Sequence, residues 1–121
     1  YVVEVLSQEK ERYRQLITPQ VAIRSKQQFG PNAGIDTNEN DPIHLGYGLG
    51  FGLYETPYGR VFFKEGHGEG WQHYAVGFPS KGTALIILSN SDNAEGTFKA
   101  LIEFCLGNRY TPWYWEGYIP T

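Results

Sequence analysis

Residues 46 to 90 contain four short segments with the side-chain pattern of β-strands, and turn residues separate each segment from the next. Alternation of bulky with small or polar side chains is typical of a strand, and short connections favour pairing between neighbours in the chain. Neighbours joined this way pair antiparallel, because parallel strands need a longer crossover. The sequence therefore predicts an antiparallel meander of about four strands, at residues 46–53, 60–65, 71–78 and 83–89.

The first of these segments alternates glycine with bulky residues from Gly46 to Leu53. As a single strand it would carry all four glycines on one face. A face without side chains allows another backbone or a helix to approach closely. The last segment, Thr83–Ser89, is apolar on both faces, and we expect it to lie inside the sheet.

Helical and irregular segments surround the predicted strands. Residues 1–16 have the pattern of a polar helix, and residues 17–45 have no sustained period and predict a long loop. A second helix is expected at residues 94–106, and the aromatic tail, residues 107–121, is expected to pack on the rest of the chain. The packing face of the second helix is predicted at Phe98, Leu101, Ile102 and Cys105. The fold class is therefore α+β, an antiparallel sheet flanked by N- and C-terminal helices.

Charge and residue content exclude several classes of partner. The net charge is −3 and the basic residues are scattered, so the sequence predicts no nucleic-acid surface. The longest apolar run, Ala84–Leu88, is too short to span a membrane. The single cysteine, Cys105, excludes a disulfide within the chain. The three histidines do not follow a known metal-ligand spacing, so neither a metal nor another cofactor is expected.

Several motifs follow one another between the second predicted strand and the C-terminal helix. Lys64-Glu65-Gly66 is predicted at a strand end, and Gly70-Trp71 follows a short distance later. After a further strand and turn, an apolar strand ends in Ser89-Asn90, ahead of the helix. This order resembles the closing section of the penicillin-recognising serine hydrolases, which include class C-like β-lactamases, DD-peptidases and esterases. The resemblance covers about residues 45–107 and implies the C-terminal part of a β-lactamase-type fold.

The resemblance implies roles for four residues of the motif. Lys64 would place a positive charge in the cleft, and Gly66 would keep the wall bare for the acyl group. His67 would donate its backbone N–H to the developing oxyanion. Glu65 stands where the family usually has a hydroxyl residue, and a carboxylate there would repel an anionic substrate. The candidate site is therefore catalytic Lys64 and Gly66 with substrate-binding Glu65 and His67.

The resemblance also implies a parent enzyme larger than this chain. It would be a bacterial serine hydrolase that acts on amide, ester or β-lactam bonds through an acyl-enzyme. It would be periplasmic, secreted or associated with the cell envelope. Its partners would be a small-molecule or peptide substrate and the missing N-terminal part of the same protein.

The other two motifs of that family occur in this chain only as letters. Ser7-Gln8-Glu9-Lys10 has the spacing of Ser-x-x-Lys, but charged neighbours and solvent would keep Lys10 protonated. Ser91-Asp92-Asn93 follows Lys64 instead of preceding it, and its place ahead of a helix predicts an N-cap cluster. We therefore expect the isolated chain to be inactive.

A second hypothesis, from a different class, is a small β-rich module that binds carbohydrate or protein and has no catalytic activity. Trp71 and the aromatic tail would then stack on sugars, whereas the competing explanation is ordinary packing of large aromatic rings. A binding module would fold alone and bind a polysaccharide column. Part of a hydrolase would be poorly stable without the rest of its chain.

Overall fold

The computed structural model describes residues 11–108 and 110–119. The helices are α1 (Glu11–Leu16), α2 (Glu95–Leu106) and α3 (Trp113–Glu116). The strands are β1 (Val21–Ala22), β2 (Gly46–Tyr47), β3 (Gly52–Thr56), β4 (Gly59–Gly68), β5 (Trp71–Phe78) and β6 (Thr83–Ser89). Short 3-10 helices cover Asp41–Ile43 and Pro79–Lys81.

The strands form one antiparallel sheet in the order β1-β2-β3-β4-β5-β6, so each strand pairs with its neighbours in the chain. The predicted α+β class and antiparallel sheet are confirmed. The described residues form six strands, not four. One added strand, β1, lies inside the predicted loop, where Ser25 and Asp36 also form an isolated bridge.

The alternating glycine run is a hairpin, and the prediction of a single strand with four glycines on one face is wrong. β2 ends at Tyr47, and the chain turns before β3 returns antiparallel to it. Gly50 has a φ of +95°, which other residues rarely adopt. The Gly48 N–H donates to the Phe51 carbonyl at 2.8 Å and closes the turn. The alternation alone did not distinguish the two structures, because glycine suits both a bare strand face and a tight turn.

The main core lies between one face of the sheet, the core face, and α2 with the aromatic tail. β4 directs Val61 and Phe63 to the core face, and β5 directs Tyr74 and Val76 to it. The tail packs on the body as predicted, since large rings contribute much of the apolar area that a small chain can bury. The buried aromatic residues of the tail are Trp113, Trp115 and Tyr118.

The opposite face of the sheet, the front face, is covered at one end only. There Tyr13 of α1 packs in a second cluster with Phe51, Leu53 and Phe62. Farther along β4, β5 and β6 the described residues do not cover this face. The exposed side chains there include Lys64, Trp71, Ile86 and Leu88.

Two predictions about burial are wrong. β6, predicted inside the sheet, is an edge strand among the described residues, and Ile86 and Leu88 are exposed on it. On α2, Phe98 is buried, but Leu101 and Cys105 of the predicted packing face are exposed. The reason is that α2 contacts β5, where the Phe98 and Tyr74 rings lie 5.7 Å apart, and only a narrow stripe of the helix reaches the sheet.

The terminal segments complete the comparison with the sequence. Of the predicted N-terminal helix the structure describes α1, and residues 1–10, with Ser7 and Lys10, lie outside the described residues. The predicted helix at residues 94–106 is α2, which begins one residue later. No described helix combines the length and the apolar character that crossing a bilayer requires.

Candidate functional site

The Lys64-Glu65-Gly66 motif lies inside β4, and its predicted place at a strand end is wrong. β4 continues to Gly68, and the two-residue turn Glu69-Gly70 leads into β5. Gly68 pairs with Trp71, whose indole ring crosses it so closely that a Cβ on Gly68 would lie 2.6 Å from the ring. Residues 66–70 are therefore the end of a hairpin, in which Glu69 and Gly70 form the turn.

β4 has a free edge next to the motif. β3 pairs with β4 only as far as Phe63, which lies opposite Gly52. Residues 64–68 pair with β5 on one side, and no strand among the described residues pairs with their other side. Alternate residues of an edge strand direct N–H and C=O groups outward, where an extended ligand can bind them. Residues 64–68 are named the open edge of β4.

Lys64 and Gly66 lie on the front face, beside the open edge. The Lys64 side chain is exposed, and its Nζ donates to the Tyr47 hydroxyl at 3.4 Å. Gly66 leaves the face bare between Lys64 and the Trp71 ring, which lies 3.5 Å from where a Cβ would stand. Sequence reasoning missed Tyr47, because its place among glycines indicated only packing.

Glu65 points to the core face, as the alternation of a strand requires for a neighbour of Lys64. The Tyr118 hydroxyl donates to one of its carboxylate oxygens at 2.6 Å, and the Gln28 side-chain amide donates to the other. The structure thus brings Lys64 and Gly66 together on the front face and places Glu65 on the opposite face. Gln28 and Tyr118 are distant in sequence from Glu65, so no local pattern indicated these contacts.

A second carboxylate, that of Glu116, lies in the core near Glu65. Glu116 is 5% exposed and accepts a hydrogen bond from the Tyr74 hydroxyl at 2.7 Å. Its Oε2 has no hydrogen-bond partner among the described residues. Burial raises the pKa of Glu116 well above its usual range; the bond from Tyr74 lowers it by less, and the charge of Glu65 adds to the rise. The protonated acid is therefore the form that suits this position.

His67 directs its side chain toward α2 at the end of the open edge. Its Nδ1 lies 3.3 Å from a carboxylate oxygen of Glu95, an ion pair when the imidazole is protonated. Its ring also makes an edge contact with Phe29, with the ring centroids 6.2 Å apart. The predicted oxyanion role uses the backbone N–H of His67. It does not involve the His67 side chain.

The connection between β6 and α2 holds the tip of the β4–β5 hairpin. The Gly70 N–H donates to the Asp92 carboxylate at 2.7 Å, and the Gln72 side-chain amide donates to the Asp92 carbonyl at 2.7 Å. The Glu95 N–H donates to Gln72 Oε1 at 2.8 Å. These three bonds are named the hairpin clamp. The predicted N-cap role of Ser91-Asp92-Asn93 is wrong, because α2 begins after Ala94 without a side-chain cap and Asp92 binds the hairpin instead.

The front face of the hairpin also carries a small aromatic platform. The rings of Trp71 and His73 stack with centroids 4.7 Å apart, and Trp71 is 40% exposed. Leu88, Ser89 and Asn90 complete a shallow concave surface with them. Within residues 11–108 and 110–119, no group of three His, Cys, Asp or Glu side chains converges as a metal site requires.

Comparison with known proteins found no relative of this chain. Neither a protein-family model, nor a curated protein, nor a solved structure matches the chain. The chemistry of the open edge, Lys64 and the hairpin clamp therefore carries the functional interpretation.

Proposed function

We propose that this chain forms one wall of the substrate cleft of a serine hydrolase that acts on amide, ester or β-lactam bonds through an acyl-enzyme. The observation that supports the proposal is the open edge of β4, with Lys64 exposed beside it on the uncovered front face. Acyl transfer needs backbone N–H donors aimed at the developing oxyanion, and a nearby positive charge favours a substrate that carries a carboxylate.

In the proposed cleft the substrate lies extended along residues 64–68. The backbone N–H of His67 donates to the substrate carbonyl as negative charge develops on its oxygen, which lowers the barrier to acyl transfer. The Lys64 ammonium attracts a carboxylate of the substrate and favours the ionised form of a nearby general base. Gly66 contributes no side chain, so the acyl group can approach the strand closely.

The orientation of Glu65 is consistent with an anionic substrate. Its carboxylate faces the core, where Tyr118 and Gln28 bind it, and the strand separates it from the front face. The repulsion expected from a carboxylate in the cleft is therefore reduced. Glu65 instead contributes by holding the tail and the loop against the motif strand.

The nucleophilic serine and its base belong, in this proposal, to another part of the same protein. That part packs on the front face, where α1 covers only the end near Phe62. The exposed Trp71 ring offers it an apolar contact next to the cleft. The missing N-terminal part of the protein and the substrate are thus the two partners of this face.

A peptide titration followed by NMR tests the proposed cleft in the 121-residue chain. The probe is a short N-acylated dipeptide with a free C-terminal carboxylate. We expect its chemical-shift changes to concentrate on the amides of residues 64–68. We expect Lys64→Ala to weaken the affinity by roughly fivefold, because about 1 kcal/mol is typical for one exposed charge interaction.

Two controls make this result specific. The same dipeptide with an amidated C-terminus should bind wild type as weakly as the carboxylate binds Lys64→Ala. Lys81→Ala removes another exposed lysine, at the β5–β6 connection, and should leave the affinity unchanged. Shift changes scattered over the chain, or equal affinities for wild type and Lys64→Ala, would contradict the proposal.

A carbohydrate-binding module remains the second candidate, and the stacked Trp71 and His73 rings are the observation that favours it. A sugar that stacks on Trp71 should change its fluorescence during titration with soluble oligosaccharides. Trp71→Ala should abolish that change while the open edge keeps its affinity for the peptide. No fluorescence change at millimolar oligosaccharide would exclude this candidate.

A further inference from the structure

Two hydrogen bonds between a tyrosine and a carboxyl group join the aromatic tail to the sheet. The Tyr74 hydroxyl of β5 donates to Glu116 at the end of α3, 2.7 Å away. In the opposite direction, the Tyr118 hydroxyl donates to Glu65 of β4, 2.6 Å away. Each bond has one partner in the tail and one in the sheet. The two carboxyl groups therefore lie in the interface itself, where their charge affects how the tail binds.

Among the described residues, no cation balances these two carboxyl groups. Neither Glu65 nor Glu116 forms an ion pair with a lysine, arginine or histidine of that part of the chain. Burial, the bond to Glu65 and the charges of Glu65, Glu116 and Glu95 all raise the pKa of Tyr118, so its hydroxyl stays a donor. Glu95 of α2 is thus a third carboxyl group near this cluster, and its own partner is His67 of β4.

Glu116 is the group of this cluster whose ionisation weakens the interface. It is buried, and its Oε2 has no hydrogen-bond partner among the described residues. A buried carboxylate with neither a cation nor a full set of donors is costly, and the neutral acid costs less. Glu65 differs, because Tyr118 and Gln28 donate to its two oxygens. In agreement, burial raises the pKa of Glu116 by more than the bond from Tyr74 lowers it.

Few main-chain bonds hold this part of the tail. Among the described residues, one backbone hydrogen bond joins α3 to residues outside the tail, from the Gln28 N–H to the Trp115 carbonyl at 2.8 Å. The strand pairings do not pass through the tail, and α2 packs on β5 independently of it. A segment held in this way can open while the rest of the fold stays intact.

We propose that α3 and Tyr118 form a pH-operated latch on the core face, closed while Glu116 is protonated and released when Glu116 ionises. Ionisation in the closed latch places an unpaired negative charge near Glu65 inside the core. Release moves that charge into water and separates it from Glu65. Because the closed latch binds the proton more tightly than the released one, closure is favoured at low pH and is lost as the pH rises.

The latch also holds the loop before β2, beside the open edge of β4. The Trp115 carbonyl accepts the Gln28 N–H, and the Trp115 indole donates to Ser25 Oγ at 3.2 Å. Phe29, the next residue of this loop, contacts the His67 ring at the open edge. Release of the latch removes the tail contacts of the loop. The latch does not require the proposed hydrolase reaction.

Amide hydrogen exchange measured across pH tests the latch in the 121-residue chain. The reporter is the Gln28 N–H, which Trp115 protects in the closed latch, and the reference is buried Val76 in the middle of β5. Above the ordinary glutamate pKa of about 4.3, the protection factor of Gln28 should fall by up to about tenfold per pH unit, since release is coupled to the loss of one proton. Val76 should be better protected than Gln28 at every pH, because the strands stay paired when the latch opens.

Two variants identify the titrating group. Glu116→Gln keeps an acceptor for Tyr74 and cannot ionise, so Gln28 protection should become independent of pH. Glu95→Gln removes the nearby carboxylate of α2 and should retain the slope of wild type. Equal protection of Gln28 and Val76 in wild type, an unchanged slope in Glu116→Gln, or a lost slope in Glu95→Gln would overturn the proposal.

A measurement on wild type decides the matter if Glu116→Gln does not fold. The NMR shift of the Glu116 carboxyl carbon should titrate with the same midpoint as the loss of Gln28 protection. Different midpoints would show that another group operates the latch, and the proposal would be wrong.

Discussion

Lys64 and Glu65 are adjacent in the chain, but the alternation of β4 gives them different surroundings. Lys64 extends into solvent on the front face, whereas Glu65 binds Tyr118 and Gln28 on the core face. Sequence spacing alone predicts this division for any strand, and the buried Val61 and Phe63 mark the core side of it. What spacing does not predict is the identity of the groups that Glu65 meets, since they come from a loop and a tail far along the chain.

Glu116 should make the stability of the chain depend on pH. Its folded-state pKa is raised by burial, so the folded chain binds its proton more tightly than the unfolded chain does. This contribution to stability is fully present below the unfolded pKa of about 4.3 and is lost as the pH rises toward the folded pKa. The unfolding free energy from urea titrations should therefore fall over that range in wild type and fall less in Glu116→Gln.

Glu103→Gln is the matched control for this experiment. Glu103 forms a partly exposed ion pair with Lys99 on α2, 2.8 Å apart, and the variant should retain the slope of wild type. Parallel pH profiles for wild type and Glu116→Gln would show that the pKa of Glu116 does not differ between the folded and the unfolded chain. The role assigned to its burial would then be wrong.

At the scale of elements, the β4–β5 hairpin depends on the hairpin clamp. Asp92→Ala removes the carboxylate that accepts the Gly70 N–H. We expect a loss of about 1 kcal/mol in unfolding free energy, the typical contribution of one hydrogen bond. Amide exchange at Gly70 should become faster, while exchange at buried Val76 in the middle of β5 should respond only to the global loss.

Asn93→Ala tests whether any change in this connection has the same effect. The backbone N–H of Asn93 donates to Ser91 Oγ. The Asn93 side chain takes no part in the hairpin clamp. The variant should leave Gly70 exchange unchanged. Unaltered exchange at Gly70 in Asp92→Ala would mean that the turn is stable without the clamp.

The sequence predicted best the elements whose apolar side chains repeat with one clear period, that of a strand or that of a helix. The predicted strands at residues 71–78 and 83–89 have the bounds of β5 and β6, and α2 begins one residue from its predicted start. The glycine run was misread because a tight turn and a bare strand face use the same residue. β4 extends beyond its predicted end because Gly66, His67 and Gly68 pair with β5, and their glycine content indicates a connection instead of a strand.

Within the candidate site, Lys64 and Gly66 could be placed on one face from the strand pattern alone. Tyr47 and the hairpin clamp could not, because both depend on which segments the fold brings near β4. Asp92 is an example, because its place before a helix predicts an N-cap role and gives no sign of a contact with the hairpin. The structure gives it a partner 22 residues earlier in the chain.

At the scale of the whole molecule, the two faces of the sheet are unequally covered. The core face has α2 and the aromatic tail over it, and the front face has α1 at one end. The side of the sheet with Lys64 is thus the side still open to substrate and, in the proposed enzyme, to the part that carries the nucleophile.

The isolated chain should not react with a fluorophosphonate or with a fluorescent penicillin. A nucleophilic serine needs a base within hydrogen-bond reach. The four serines of the described residues instead have other contacts: Ser25 accepts from the Trp115 indole, Ser80 donates to the Tyr58 carbonyl, and Ser89 and Ser91 accept backbone N–H groups. Ser7 lies outside the described residues, among charged neighbours in the sequence that favour a protonated Lys10.

Gel fluorescence and intact mass after overnight incubation measure this reactivity, with a known serine hydrolase as the positive control. Ser7→Ala identifies the position if any label appears. Stable labelling that Ser7→Ala removes would show that the chain carries its own nucleophile. The division of the cleft between this chain and another part of the protein would then be wrong, although the open edge and Lys64 could still bind the substrate. If this chain is a cleft wall without a nucleophile, it should take up no label. It should still bind the carboxylate of the dipeptide at residues 64–68.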